Sequence, residues 1–270
     1  MSYAALMVHL EARRDLRNRV RLAVDLADRF DASLIGVAGW AYLPGFLVDT
    51  AGTDDGERRE MTAVLARLET TFRASAEPLA HVEWRAALEF ADNLVPREAR
   101  AADLVIIGRA QDGAGDRYFA LDPAVAILGA GRPVLLVPDN VDSLGARRVV
   151  VAWKDTRESR RAVRDAIPFL QNAEEVMIVE VCEHGTEMQS QRQIDDVANH
   201  LLRHKVVVGA KAYLHTEQTV AGELLRFARD ARADLIVAGG YGHSRLGEWA
   251  FGGVTRDLIA DSAVCCLFSH

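Results

Sequence analysis

The chain repeats itself. Ala102-Asp103-Leu104-Val105-Ile106-Ile107-Gly108 returns 131 residues later as Ala233-Asp234-Leu235-Ile236-Val237-Ala238-Gly239. Arg132-Pro133-Val134-Leu135-Leu136-Val137 is echoed by Ser262-Ala263-Val264-Cys265-Cys266-Leu267, and the opening Ala5-Leu6-Met7-Val8 by Arg148-Val149-Val150-Val151. The 270 residues are enough for about two ordinary domains. Self-similarity at this period reads as two tandem copies of one unit. The copies span residues 1–140 and 146–270, joined by the short polar stretch Pro138-Asp139-Asn140-Val141-Asp142-Ser143-Leu144-Gly145.

Within each copy, short apolar runs alternate with helical patterns. In the first, strands are expected at residues 4–9, 33–37, 82–87, 104–107 and 134–137. Helices are expected at 15–30, 57–74, 94–101 and 123–128. The first helix has its stripe at Val20, Ala23, Val24 and Ala27. Pro96 would fall in the first turn of the third, where proline is tolerated. Residues 40–56, with Pro44 and three glycines, read as a loop, and Asp54, Asp55 and Glu57 as solvated charge. In the second copy, strands are expected at 149–153, 176–181, 209–214, 235–238 and 264–268. The helices between them are at 158–170, 187–204, 221–231 and 254–260. This alternation implies βαβ units around a parallel sheet buried on both faces.

The chemistry gathers at residues 239–255, GGYGHSRLGEWAFGGVT, which hold six of the 20 glycines. Strand, glycine loop and helix follow one another, so backbone N–H groups and a helix N-terminus meet where an anion, most often a phosphate, is favoured. A P-loop is excluded: Gly242 and Gly247 have its spacing, but Glu248 stands where the lysine should be. The dinucleotide fingerprint beginning at Gly240 and Gly242 meets Arg245 where its third glycine belongs.

The spacing that fits is Gly239, two residues, Gly242, nine residues, Gly252, followed by Val254-Thr255-Arg256-Asp257-Leu258. It resembles the G-2x-G-9x-G-[ST] loop of the universal stress protein family, and the chain is identified as a tandem member. The resemblance implies two Rossmann-like domains of the adenine nucleotide alpha hydrolase-like class. Each would be a five-stranded parallel sheet of order 3-2-1-4-5 with helices on both faces. The glycine loop, after strand four, then lies at the reversal of strand order, where such sheets bind ligands. The implied ligand is ATP or AMP, with Mg2+ accompanying ATP. The implied role is a cytoplasmic stress response in which bound nucleotide acts as a conformational signal.

The expected binding residues are Gly239, Gly242, Gly252 and Gly253, with Arg245 either pairing with phosphate or solvated. Gly253 replaces the family's Ser/Thr, so the backbone N–H survives without the hydroxyl. The family's nucleoside-contacting aspartate aligns with Lys154. Either the next residue, Asp155, takes over, or the site has changed character. Val181, at the end of strand two, would offer backbone contacts to adenine. Trp153 either stacks a base or belongs to the core. The first copy lacks the second glycine after Gly108 and has Leu121-Asp122-Pro123 in place of G-[ST], so no nucleotide is expected there; Asp122 reads as a helix N-cap. Strand five is apolar in both copies, and a bare apolar edge invites aggregation. Pairing of the two fifth strands would make an internal pseudo-dimer, with a homodimer of chains as a further assembly.

Other classes find little support. No apolar run approaches the ~18 residues that span a membrane, and residues 1–14, with acidic Glu11, do not read as a signal peptide. The net charge of -7 and pI of about 5.6 argue against nucleic acid as a partner. Cys182, Cys265 and Cys266 form no framework, which suits a reducing compartment. His200 and His204, four apart, have no evident third ligand and read as a solvated helix face rather than a metal site. No general base or catalytic residue is evident, so the activity expected is slow ATP hydrolysis at most. The alternative is a nucleotide-independent interaction module of the same fold, acting on a protein partner the sequence does not identify.

Overall fold

The computed structural model describes residues 2–11, 16–41, 53–109, 120–182, 185–215, 219–241 and 252–270. The chain divides into two compact units. One comprises Tyr3–Arg132 with Asp139–Ser143; the other is built from Pro133–Pro138 and Leu144–His270.

The first unit runs β1 (Ala5–His9), α1 (Leu16–Phe30), β2 (Ser33–Gly39), α2 (Thr53–Ser75), β3 (Val82–Ala87), α3 (Ala91–Glu98), a 3-10 turn at Ala99–Ala101, β4 (Leu104–Gly108) and α4 (Pro123–Gly129). Its strands are parallel in the order β3-β2-β1-β4. Leu104, Val105, Ile106 and Ile107 are all fully buried. Successive side chains of a strand point to opposite faces, so both faces here are covered. Asp122 is the N-cap of α4 as expected, accepting from the Ala124 amide.

The second unit begins with β5 (Val134–Val137), from the first half of the sequence. It continues with β6 (Arg148–Ala152), α5 (Arg157–Asp165), α6 (Ile167–Leu170), β7 (Glu175–Cys182), α7 (Glu187–Arg203), β8 (Val208–His215), α8 (Val220–Asp230), β9 (Leu235–Gly239), α9 (Gly253–Asp261) and β10 (Cys265–Ser269). The strand order is β5-β10-β9-β6-β7-β8. From β8 to β10 this is the 3-2-1-4-5 order, parallel throughout. β5 then pairs antiparallel with β10, Leu136 opposite Cys266 and Val134 opposite Phe268. Strand five of one copy thus covers the edge of the other's strand five, the remedy its apolar sequence called for.

The repeated Ala-Asp-Leu has a structural cause. Asp103 accepts from the Ala4 and Ala5 amides at 2.8 and 3.1 Å, tying the start of β1 to the start of β4. Asp234 does the same for Arg147 and Arg148, at 3.0 Å each. In both copies the carboxylate gives two amides at the start of strand one their acceptor.

Three expectations are corrected. Pro96 lies inside α3, not in its first turn. The Phe90 carbonyl accepts from Asn93 and Leu94, so the helix starts three residues before the expected 94. Pro96 then has no amide to give, and the helix tightens into the 3-10 turn soon after. The expected 158–170 helix breaks at Ala166, two residues before Pro168. Asp54, Asp55 and Glu57 belong to α2, which starts at Thr53; acidic residue types suit a first turn.

Candidate functional site

At the carboxyl end of β9 the chain enters the glycine loop. The Gly240 amide donates to the Ser269 carbonyl at 2.8 Å, and His270 Nδ1 lies 3.0 Å from the Gly240 carbonyl. Tyr241 takes a left-handed backbone, φ 52°. Its amide donates to Thr255 Oγ1 at 3.1 Å, and Thr255 is buried in the first turn of α9. This bond ties the start of the loop to the helix that ends it. Gly242 and Arg245 lie outside the described residues, as do His243 and Ser244.

The remaining glycines of the motif have different causes. A Cβ on Gly239 would fall 2.7 Å from the Ser159 amide nitrogen and 2.9 Å from the Glu158 carbonyl carbon. That glycine lets α5 press onto the end of β9. Gly252 caps α9 with φ -55° and ψ 121°, a conformation open to any residue. A Cβ there would meet nothing among the described residues closer than Tyr241 Cα at 3.9 Å, and one on Gly253 would meet nothing within 4 Å. Among the described residues neither backbone angle nor packing calls for glycine at these two positions. Without side chains they let an anion come close to the amides of a helix N-terminus.

β6 lies beside β9 and brings the next residues. Lys154 is exposed. Asp155 turns to Arg160, whose Nη2 is 2.5 Å from its Oδ1. Thr156 caps α5, its Oγ1 accepting from the Ser159 amide. Trp153 is 7% exposed and lies on a groove of about 460 Å³ together with Asp155, Arg160 and His200.

A second cavity, of about 620 Å³, opens over the ends of β6, β7 and β8. Lys154, Glu180, Val181, Cys182, Ser190 and His215 are among its walls. Lys154 and Val181 are thus brought together, while Asp155 falls on the other groove. Sequence reasoning missed Glu180. It is 9% exposed, and burial pushes its carboxyl above the usual range against the Ser190 hydrogen bond. The signal was present: Glu180 is the lone charge in the otherwise apolar run 176–181.

In the first copy the corresponding strand ends are filled by the chain itself. Arg19 of α1 is 1% exposed. Its Nη1 donates to the His9 carbonyl at 3.2 Å and to Glu11 Oε1 at 3.3 Å. Its guanidinium lies so close over Gly108 that a Cβ there would be 1.9 Å from Nη2.

The other candidates recede. Cys265 and Cys266 are buried and not joined in a disulfide, and burial drives the Cys265 thiol far above its usual value, away from thiolate chemistry. His200 and His204 stack edge-on with ring centroids 4.8 Å apart. Among the described residues no three His, Cys, Asp or Glu side chains are placed to hold a metal ion, and no helix is long and apolar enough to cross a membrane.

Comparison with known proteins places these observations. Residues 145–268 match the family model of the universal stress protein family. A universal stress protein from Archaeoglobus fulgidus DSM 4304 is similar in structure along nearly the whole length, with a TM-score of 0.70 at 15% identity, covering 98% of this chain and 95% of its own. A structure described as a putative universal stress protein from Pseudomonas aeruginosa UCBPP-PA14 gives a TM-score of 0.60 at 12% identity, covering 99% of this chain and 93% of its own. At such identities the likeness speaks for the fold. A universal stress protein solved in complex with cAMP covers 52% of this chain and 100% of its own, at 18% identity and a TM-score of 0.38; its ligand is a property of that protein. No curated protein matches.

Proposed function

Residues 145–268 form a universal stress protein domain in a chain built as two tandem copies of its fold, and from that premise we propose that the second copy binds an adenine nucleotide, ATP or AMP. Its phosphates are held by main-chain amides around Gly239, Gly242, Gly252 and Gly253, with Arg245 as a charged partner and Mg2+ accompanying ATP. The observation that carries this reading is the pair Gly252 and Gly253 at the N-terminus of α9, glycines that neither backbone angle nor packing among the described residues demands. The 620 Å³ cavity beside the loop is of the size that holds small ligands. Occupancy of this site would be the signal in a cytoplasmic stress response read by a protein partner. Arg19 and Glu11 fill the equivalent strand ends of the first copy, which argues for one nucleotide per chain. No catalytic residue is assigned.

The first test is the nucleotide content of freshly purified protein, followed by calorimetric titration with ATP and AMP. About one adenine nucleotide per chain is expected. Two would overturn the reading of the first copy. None, with no binding at millimolar concentration, would favour the nucleotide-independent interaction module, a reading that draws on the missing hydroxyl at Gly253 and on Lys154. Gly252→Val should cost about 1 kcal/mol of stability, as a β-branched residue at a helix N-cap does, yet lower nucleotide affinity at least tenfold. Unchanged affinity would remove the loop from the site.

A further inference from the structure

Among the buried polar atoms of the second copy, Glu180 Oε2 is one that borders the cavity beside the loop. Glu180 Oε2 is shielded from solvent and has no hydrogen-bond partner among the described residues. Buried acceptors in folded proteins are almost always satisfied, and an exception asks for a cause. The Ser190 hydroxyl, on a residue 3% exposed, favours the ionised carboxyl against its burial. Around the same cavity stand Thr186, Gln189 and Gln193, hydroxyl and amide groups suited to the polar edges of a base or to a sugar.

The position has a geometric consequence. β6 is flanked by β9 on one side and β7 on the other. A ligand whose phosphates meet the loop after β9 crosses the end of β6 at Lys154 before it reaches Glu180 near the end of β7. Two strand spacings amount to roughly 10 Å, about the distance from the phosphate of a nucleotide to the far side of its nucleoside. We propose that Glu180 Oε2 accepts a hydrogen bond from the nucleoside end of that ligand, which makes Glu180 a specificity residue for that end. The inference rests on nucleotide binding by the second copy. The donor is either an exocyclic base amine or a sugar hydroxyl, and the same N–H or O–H chemistry satisfies Oε2.

The experiment titrates the full chain with adenosine, AMP and inorganic pyrophosphate, in the parent and in Glu180→Met and Glu180→Gln. Glu180→Met is expected to weaken adenosine and AMP by the same factor, tenfold or more, and to leave pyrophosphate within twofold. Glu180→Gln keeps an acceptor oxygen and should recover most of the loss. Inosine lacks the amine and 2′,3′-dideoxyadenosine lacks the sugar hydroxyls. Whichever the parent binds at least tenfold more weakly than adenosine identifies the donor. Should Glu180→Met fail to fold, this comparison on the parent decides alone: equal binding of all three nucleosides overturns the proposal. So does adenosine binding within twofold of the parent in Glu180→Met, or an equal loss of pyrophosphate. If the parent binds AMP and the variants bind it equally, only the role of Glu180 falls. If the parent binds no nucleotide, the function reading fails and this one with it.

Discussion

The ends of β1 and β6 hold the same place in their two copies and are finished in opposite ways. In the first copy a single long side chain closes the space. Arg19 is tethered to the His9 carbonyl and the Glu11 carboxylate, over a glycine that leaves it just enough room. In the second copy the backbone of α5 presses onto Gly239, and the neighbouring space stays open as a cavity bordered by Lys154 and Glu180. The contrast shows that one fold can close the ends of its strands with a buried ion pair of its own or leave them open as a cavity.

Four substitutions break or sharpen this comparison. The largest effect is expected from Glu11→Ala. It leaves the Arg19 guanidinium buried without its 3.3 Å partner, and removing one member of a buried pair costs about 3–5 kcal/mol. Urea unfolding of the full chain measures it, and a loss under about 1 kcal/mol would mean that Glu11 does not hold the plug. Next comes Gly239→Ala. Its methyl meets the backbone of Ser159 and Glu158, so α5 must shift, at about 1–3 kcal/mol and with weakened nucleotide binding. Gly108→Ala instead runs first into the Arg19 guanidinium and should leave nucleotide affinity untouched; an equal effect of both on affinity would erase the distinction between the copies.

The last is an effect of sign. Burial raises the Glu180 carboxyl above its ordinary value of 4.5, with Asp155 acting in the same direction and Ser190 and Lys154 against it. A carboxyl that ionises less readily folded than unfolded contributes fully below its unfolded value, and that contribution fades as pH rises through the folded value. Glu180→Gln, which does not ionise, should therefore gain on the parent as pH goes from about 4 to 7. Urea midpoints across that range check it, and a constant difference would show that the buried carboxyl is not the cause.

Most of the framework was legible because it rests on local pattern. Val149, Val150 and Val151, or Leu235, Ile236 and Val237, are apolar on consecutive positions and can only be strands covered on both faces; all are buried. The two helical prolines are not legible locally: the helix around Pro96 starts from bonds to the Phe90 carbonyl, and the helix before Pro168 ends at Ala166. Of the candidate site, Lys154 and Val181 do share a cavity, but Asp155 is drawn off by Arg160.

The sequence by itself determined two copies, their strands and helices, and a glycine loop after strand four of the second, since hydrophobic period and glycine spacing act over a few residues. Tertiary structure decided the rest. Arg19 over Gly108, the unpaired oxygen of Glu180, the tie from Tyr241 to Thr255 and the pairing of β5 with β10 join residues far apart in the chain. Whether a polar group is satisfied, or a space filled, is settled by whichever neighbours the fold brings there, and no local pattern names them.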